Sequence, residues 1–203
     1  KALGTQGYAR LRRRLYEYDA RLDLFLMKGM LGMVYVFLTD GFEEMEAVAP
    51  VDLLRRAGAK VVTVGIGGKT VTGSHGIPVV CDVTEESAAL DSSLRMLVLP
   101  GGPGTEKLHQ SAFADRAIRF AFERGLLIGA ICAAPSLLGR RGLLRGLRAT
   151  SYPSYLDDSP GVIAVNEPVV RDGNIITARG PGAATDFALC LVGGIAGSAC
   201  IDA

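Results

Sequence analysis

The sequence predicts an α/β protein with a mostly parallel sheet covered by helices on both faces. Three observations carry this. From Met33 onward, short apolar segments alternate with helix-like ones, the rhythm of successive β–α units. The strand segments are continuously apolar, as strands buried on both faces are. The loops that leave these strands hold the glycines, prolines and ionisable residues, and open α/β sheets bind ligands at the carboxyl ends of their strands.

The elements follow in order. Residues 33–38 are an apolar strand. Residues 44–57 read as a helix that Gly58 stops, with Pro50 predicting a kink. Residues 60–65 form a valine-rich strand, and short β segments at 69–72 and 78–81 flank His75. The strand at 95–99 closes on Pro100-Gly101-Gly102. Ser111 can cap a helix running to about Arg124. Residues 126–131 are the strand leading into Cys132, and 133–140 form a helix. Residues 162–165 and 174–178 are β segments, and a helix runs from 182 to about 192.

Ahead of this unit, Leu11, Leu15, Tyr18, Leu22, Phe25 and Leu26 make a helical apolar stripe. Asp23 and Lys28 interrupt it before it could span a bilayer or serve as a signal peptide. Residues 1–32 therefore read as an N-terminal amphipathic extension and 33–203 as a single domain.

A chain of 203 residues can bury a full core. With 49% hydrophobic and 21% charged residues its balance is that of a soluble globular protein. A net charge of +1 provides no global field to recruit nucleic acid or an anionic membrane. The basic clusters at 10–14 and 140–148 read as charged helix faces. Cys81, Cys132, Cys190 and Cys200 contain no C-x-x-C pair, which favours free thiols in a reducing, cytoplasmic compartment. With only His75 and His109, no clustered zinc site is expected, and no metal or other cofactor is called for. Neither histidine has a partner that can be named from sequence, so both read as surface or structural.

Residues 126–135, LLIGAICAAP, are the most informative stretch. A buried strand ending in Cys132 with small residues after it fits a nucleophile elbow, which lifts one side chain out at a sheet tip. A helix N-terminus there would favour the thiolate. A buried structural cysteine fits the segment as well. Gly101 and Gly102 let backbone N–H groups approach a ligand and, with those after Cys132 such as Ala133, could form an oxyanion hole; a plain glycine turn is the alternative. Glu46 shares an apolar helical face with Ala49, Pro50, Leu53 and Ala57. A carboxyl held inward there has a raised pKa and can act as acid or base near neutrality. Glu43 and Glu44, in a first helical turn, complement the helix dipole.

Four ordered motifs carry a resemblance. Residues 40–58 (DGFEEMEAVAPVDLLRRAG), 97–102 (LVLPGG), 130–135 (AICAAP) and 177–182 (TARGPG) resemble the DJ-one/ThiJ/PfpI superfamily, over about residues 33–192. The chain is most similar to the branch of the parkinsonism-associated deglycase and its bacterial relatives. The resemblance implies a flavodoxin-like three-layer sandwich and a homodimer. It matches Cys132 to the reactive cysteine, Glu46 to its partner carboxylate and Gly102 to a glycine whose amide lines the pocket, with Arg179 and Pro181 on a pocket loop. It implies a cofactor-independent glyoxalase or deglycase acting on small reactive carbonyls or early glycation adducts, on free molecules or on glycated protein. A redox sensor or holdase chaperone with little turnover is the alternative.

Three departures from the family pattern stand out. Many members place a histidine beside the cysteine, where Tyr152 stands here; a phenol is a poor base at neutral pH. After Val192 come Gly193, Gly194 and Gly197, where members usually carry a further helical segment. Residues 1–32 have no obvious counterpart. Other branches fit less well. The protease-like branch has His directly after its cysteine, where this chain has Ala133, and glutamine amidotransferases need a His downstream of theirs, whereas both histidines here precede Cys132.

Overall fold

A computed structural model describes residues 31–196. The amphipathic stripe at 10–28 and Cys200 lie outside the described residues. The elements are β1 (Met33–Leu38), α1 (Glu44–Arg56), β2 (Lys60–Gly65), β3 (Thr70–Thr72), β4 (Pro78–Val80), β5 (Val83–Thr84), β6 (Leu94–Leu99), α2 (Thr105–Gln110), α3 (Ala112–Glu123), β7 (Leu127–Ile131), α4 (Pro135–Gly139), β8 (Arg148–Ala149), β9 (Ile163–Ala164), β10 (Val169–Asp172), β11 (Ile175–Ala178) and α5 (Ala184–Ile195). A single 3-10 turn, Pro181–Ala183, precedes α5.

Seven strands form the central sheet in the order β10-β11-β7-β6-β1-β2-β5. Every pairing in it is parallel except β10 with β11. Side-chain alternation splits the core in two. Tyr35 and Phe37 of β1 face one layer with α3 and α4, whereas Val34, Val36 and Leu38 face the other with α1 and α5. The fold is thus the three-layer α/β sandwich that the continuous apolar strands predict.

The chain leaves β1 toward β2 and β5, then returns on the other side through β6, β7 and β11. The loops after β1 and β6 therefore diverge at a topological switch point, where α/β sheets hold their ligands.

Boundary differences have local causes. Gly104 and Thr105 start a short helix, α2, ahead of the Ser111 cap; Ser111 then caps α3 as predicted, its Oγ accepting from the Ala114 N–H at 3.1 Å. β10 escapes a search for apolar runs because Arg171 and Asp172 fill half of this edge strand. On α1 the buried stripe is Glu46, Ala47, Pro50 and Leu54, one position off the predicted face; Ala49, Leu53 and Ala57 are half-buried. Among the described residues Cys81 and Cys132 are free thiols, but Cys190 is disulfide-bonded, contrary to the expected set of free cysteines. No described helix is long and apolar enough to cross a membrane.

Candidate active site

The switch-point loops are stitched together by backbone. Glu43 N–H donates to the Gly101 carbonyl at 3.0 Å, and Gly104 N–H to the Gly41 carbonyl at 2.8 Å. Gly102 has φ +90°, and a Cβ there would stand 2.5 Å from the Gly41 oxygen and 2.7 Å from the Glu43 nitrogen. Only glycine permits this approach.

Glu43 caps α1, its carboxylate accepting from the Glu46 N–H at 2.7 Å. That cap sets the first turn and aims Glu46 inward, where it is fully buried. Glu46 Oε2 accepts from the Gly101 N–H at 2.9 Å, while Oε1 has no protein partner of full hydrogen-bond geometry. Cys132 stands on the other side of Gly101. A Cβ on Gly101 would lie 2.7 Å from the Cys132 Cβ and 2.7 Å from Glu46 Oε2. The absent methyl at Gly101 is what lets thiol and carboxyl meet.

Cys132 follows β7 directly and takes φ +63°, the left-handed region that a non-glycine residue rarely occupies. Its N–H donates to the Ala178 carbonyl at 2.9 Å, and its carbonyl accepts from the Tyr152 N–H at 2.9 Å. These two bonds hold the turn, and Cys132 is half-buried.

The two groups perturb each other. Burial raises the Glu46 pKa and the Glu43 charge adds to it; bonds from Cys132 and the Gly101 N–H oppose, leaving it at about 7. Burial also raises Cys132, and the Glu46 charge and hydrogen bond push it further, to about 12, against N–H groups of Gly102 and Ala133 directed at the sulfur. An ordinary low-pKa thiol at a helix N-terminus is not what forms here. α4 has only five residues, so its dipole is small, and burial together with the adjacent carboxyl outweighs it. The high value belongs to the second proton leaving a pair that already carries one negative charge. Between the two steps thiol and carboxyl hold one proton between them.

The structure thus brings together Cys132, Glu46, Gly101, Gly102 and Ala133. It corrects one role: the Gly101 amide is spent on Glu46, so the N–H groups free to face the sulfur are those of Gly102 and Ala133. Tyr152 is exposed; its backbone is tied to Cys132, and its ring lies 3.6 Å from where a Gly180 Cβ would stand. Arg179 is exposed, its backbone N–H donating to the Pro168 carbonyl at 3.0 Å, and Pro181 opens the 3-10 turn. Neither is linked to the pair by a hydrogen bond or ion pair.

Both histidines have partners that sequence reading missed. His75 Nδ1 pairs with Glu44 Oε2 at 2.8 Å, and the His75 N–H donates to Oε1 at 2.7 Å. Burial opposes ionisation of Glu44, yet these bonds bring it down to about 2. Glu44 does more than complement a dipole; it fastens the β3–β4 hairpin to α1. Donor atoms of Glu43, Glu44 and His75 lie within 4.8 Å of one another, and the existing bonds account for that cluster without an ion. His109 Nε2 lies 3.1 Å from Ser136 Oγ.

Fold and site define an α/β sandwich protein with a thiol–carboxyl pair at the tips of its parallel strands. The chain belongs to the DJ-1/PfpI family, whose sequence model matches residues 33–193. It is 39% identical over 174 residues to protein dj-1beta of Drosophila melanogaster, covering 80% of this chain and 88% of that protein. It is 36% identical over 152 residues to a Pyrococcus horikoshii protein named a deglycase, covering 73% of this chain and 91% of the other. The crystal structure of a DJ-1 superfamily protein from Salmonella typhimurium superposes with a TM-score of 0.77 at 35% identity, covering 82% of this chain and 91% of that one.

Proposed function

We propose that this protein is a cofactor-independent glyoxalase or deglycase acting on small reactive carbonyls through Cys132, with Glu46 as its acid and base. The observation that carries this is the half-buried Cys132 and the buried Glu46 carboxyl set against each other across Gly101. The naming of a relative as a deglycase supports the reading.

The turn at Cys132 is read as a nucleophile elbow. The thiolate adds to the aldehyde carbon of methylglyoxal, and the new oxyanion takes the proton from Glu46, giving a hemithioacetal. Glu46, now ionised, removes the proton from that carbon and returns it to the neighbouring one, while the hydroxyl proton passes to the former ketone oxygen, producing a thioester of lactate. Water cleaves the thioester and restores the thiol. On an early glycation adduct the same attack precedes release of the amine. Gly102 and Ala133 N–H groups steady the thiolate at the start and end of the cycle.

The test is methylglyoxal consumption without added glutathione or metal by wild type, Cys132→Ser and Glu46→Ala side by side. Wild type forms lactate, and both variants lose turnover. Full activity in Cys132→Ser removes the nucleophile assignment.

One observation favours a redox role for the same thiol: among the described free cysteines, Cys132 is half-exposed and Cys81 is buried. A peroxide oxidising Cys132 would leave a sulfinate facing the Gly102 and Ala133 N–H groups and a protonated Glu46. A holdase, by contrast, suppresses client aggregation even without Cys132. The functional unit is taken as residues 33–203, with 1–32 as an appendage. A homodimer is supported by exposed Met45 and Val48 on α1 and exposed Ile77 and Val80 on the hairpin that Glu44 and His75 fasten to α1.

A further inference from the structure

His109 is the last basic residue of α2, outside the thiol–carboxyl pair, and it is half-buried against α4. Ser136, in α4, is 1% exposed. Its Oγ lies 2.7 Å from the Ala133 carbonyl and 3.1 Å from His109 Nε2. A serine hydroxyl has one proton, and the short contact to a carbonyl consumes it. Nε2 of His109 must therefore be the protonated nitrogen, donating to Ser136 Oγ. The result is a directional chain from imidazole N–H to hydroxyl to the Ala133 carbonyl. The Ser136 N–H reaches the same carbonyl at 3.1 Å. Ala133 is thus held at both ends, its carbonyl by Ser136 and its N–H against the Cys132 sulfur.

We propose that His109 is a positioning residue for Cys132: it fixes the Ser136 hydroxyl, and through it the Ala133 carbonyl, one peptide unit beyond the N–H that faces the sulfur. The proposal rests on the reading of Cys132 as the reacting group. Charged groups around the ring favour the required form. Burial lowers the His109 pKa, Arg140 and Arg141 lower it further, and Glu106 opposes them. A neutral ring with its proton on Nε2 is the state this environment selects. Protonation at acid pH adds a proton at Nδ1 and leaves the Nε2 bond in place.

The experiment measures the rate of Cys132 alkylation by iodoacetamide against pH, with peptide mass mapping to exclude Cys81. His109→Leu is expected to lower the rate at pH 7 about fivefold, the equivalent of one ordinary hydrogen bond, and to move the midpoint of the profile upward. His109→Gln, whose amide can still donate to Ser136, keeps the wild-type profile. Ser136→Ala behaves like His109→Leu, and combining the two slows alkylation no further. A wild-type profile in His109→Leu overturns the proposal. So does equal slowing in Gln and Leu, which would mark a packing role, or additive slowing in the double variant. Alkylation needs no carbonyl turnover. If wild type fails to consume methylglyoxal while the profile still shifts, the proposed function falls and the positioning role stands.

Discussion

Burying Glu46 should cost this protein stability at neutral pH, and Glu46→Gln should recover it. In the folded chain the carboxyl titrates at about 7 rather than its ordinary 4.5, burial being the main cause. A raised carboxyl means that the folded state binds more protons than the unfolded one between those values, so stability falls as pH rises through that window. Below 4.5 both states are protonated and the penalty vanishes; above 7 it is complete. At about 1.4 kcal/mol per pH unit the full penalty is about 3 kcal/mol. Glutamine keeps an oxygen for the Gly101 N–H and cannot ionise.

Urea unfolding of wild type and Glu46→Gln at pH 5 and pH 8 measures this directly. At pH 5 the two should lie within about 1 kcal/mol of each other. At pH 8 the variant should be the more stable by about 3 kcal/mol, or about 6–12 °C in Tm for a domain of this size. In wild type Cys132 titrates far above this window, at about 12, and in the variant burial still raises the thiol. A gap independent of pH, or a wild type more stable at pH 8, would refute the shared-proton account.

Three further outcomes are expected. Gly101→Ala puts a methyl 2.7 Å from both Cys132 Cβ and Glu46 Oε2, so it should destabilise by about 1–3 kcal/mol and lower turnover, read by melting and lactate formation. Mild peroxide should add mass at Cys132 and leave Cys81 unmodified, since Cys81 is 1% exposed and burial pushes its thiol up to about 11; peptide mass spectrometry decides it. Val48→Asp, at a side chain 53% exposed, should lower the sedimentation coefficient to that of a monomer without loss of folded structure.

How much of this was legible beforehand differs by residue. β1 and β7 could be read because burial on both faces leaves a run of residues without charge, and β2 and β6 because Thr63 and Arg95 are the lone polar residues inside their apolar runs. The meeting of Glu46 and Cys132 could be anticipated in outline, because strand-end loops share one rim and a carboxyl on an apolar helical face has to point inward. What could not be read was which donor served which acceptor. A Gly-Gly pair announces close backbone approach, but whether the Gly101 N–H meets a substrate or the Glu46 carboxylate depends on distances of a few tenths of an ångström. His75 and His109 were opaque for a related reason. Their partners, Glu44 and Ser136, lie 31 and 27 residues away and arrive through the hairpin and the α2–α4 contact.

The glycine at 101 also links stability to chemistry. Its missing Cβ admits both the thiol and the carboxyl, and its N–H stabilises the ionised form of that carboxyl against burial. The bond from Cys132 opposes burial more strongly than the Gly101 N–H does; without both, Glu46 would titrate higher. Without the burial it would ionise nearer its ordinary 4.5. Burial raises the carboxyl, the Cys132 bond and, to a lesser degree, the Gly101 N–H oppose it, and the close approach at Gly101 is what lets all three act on one group.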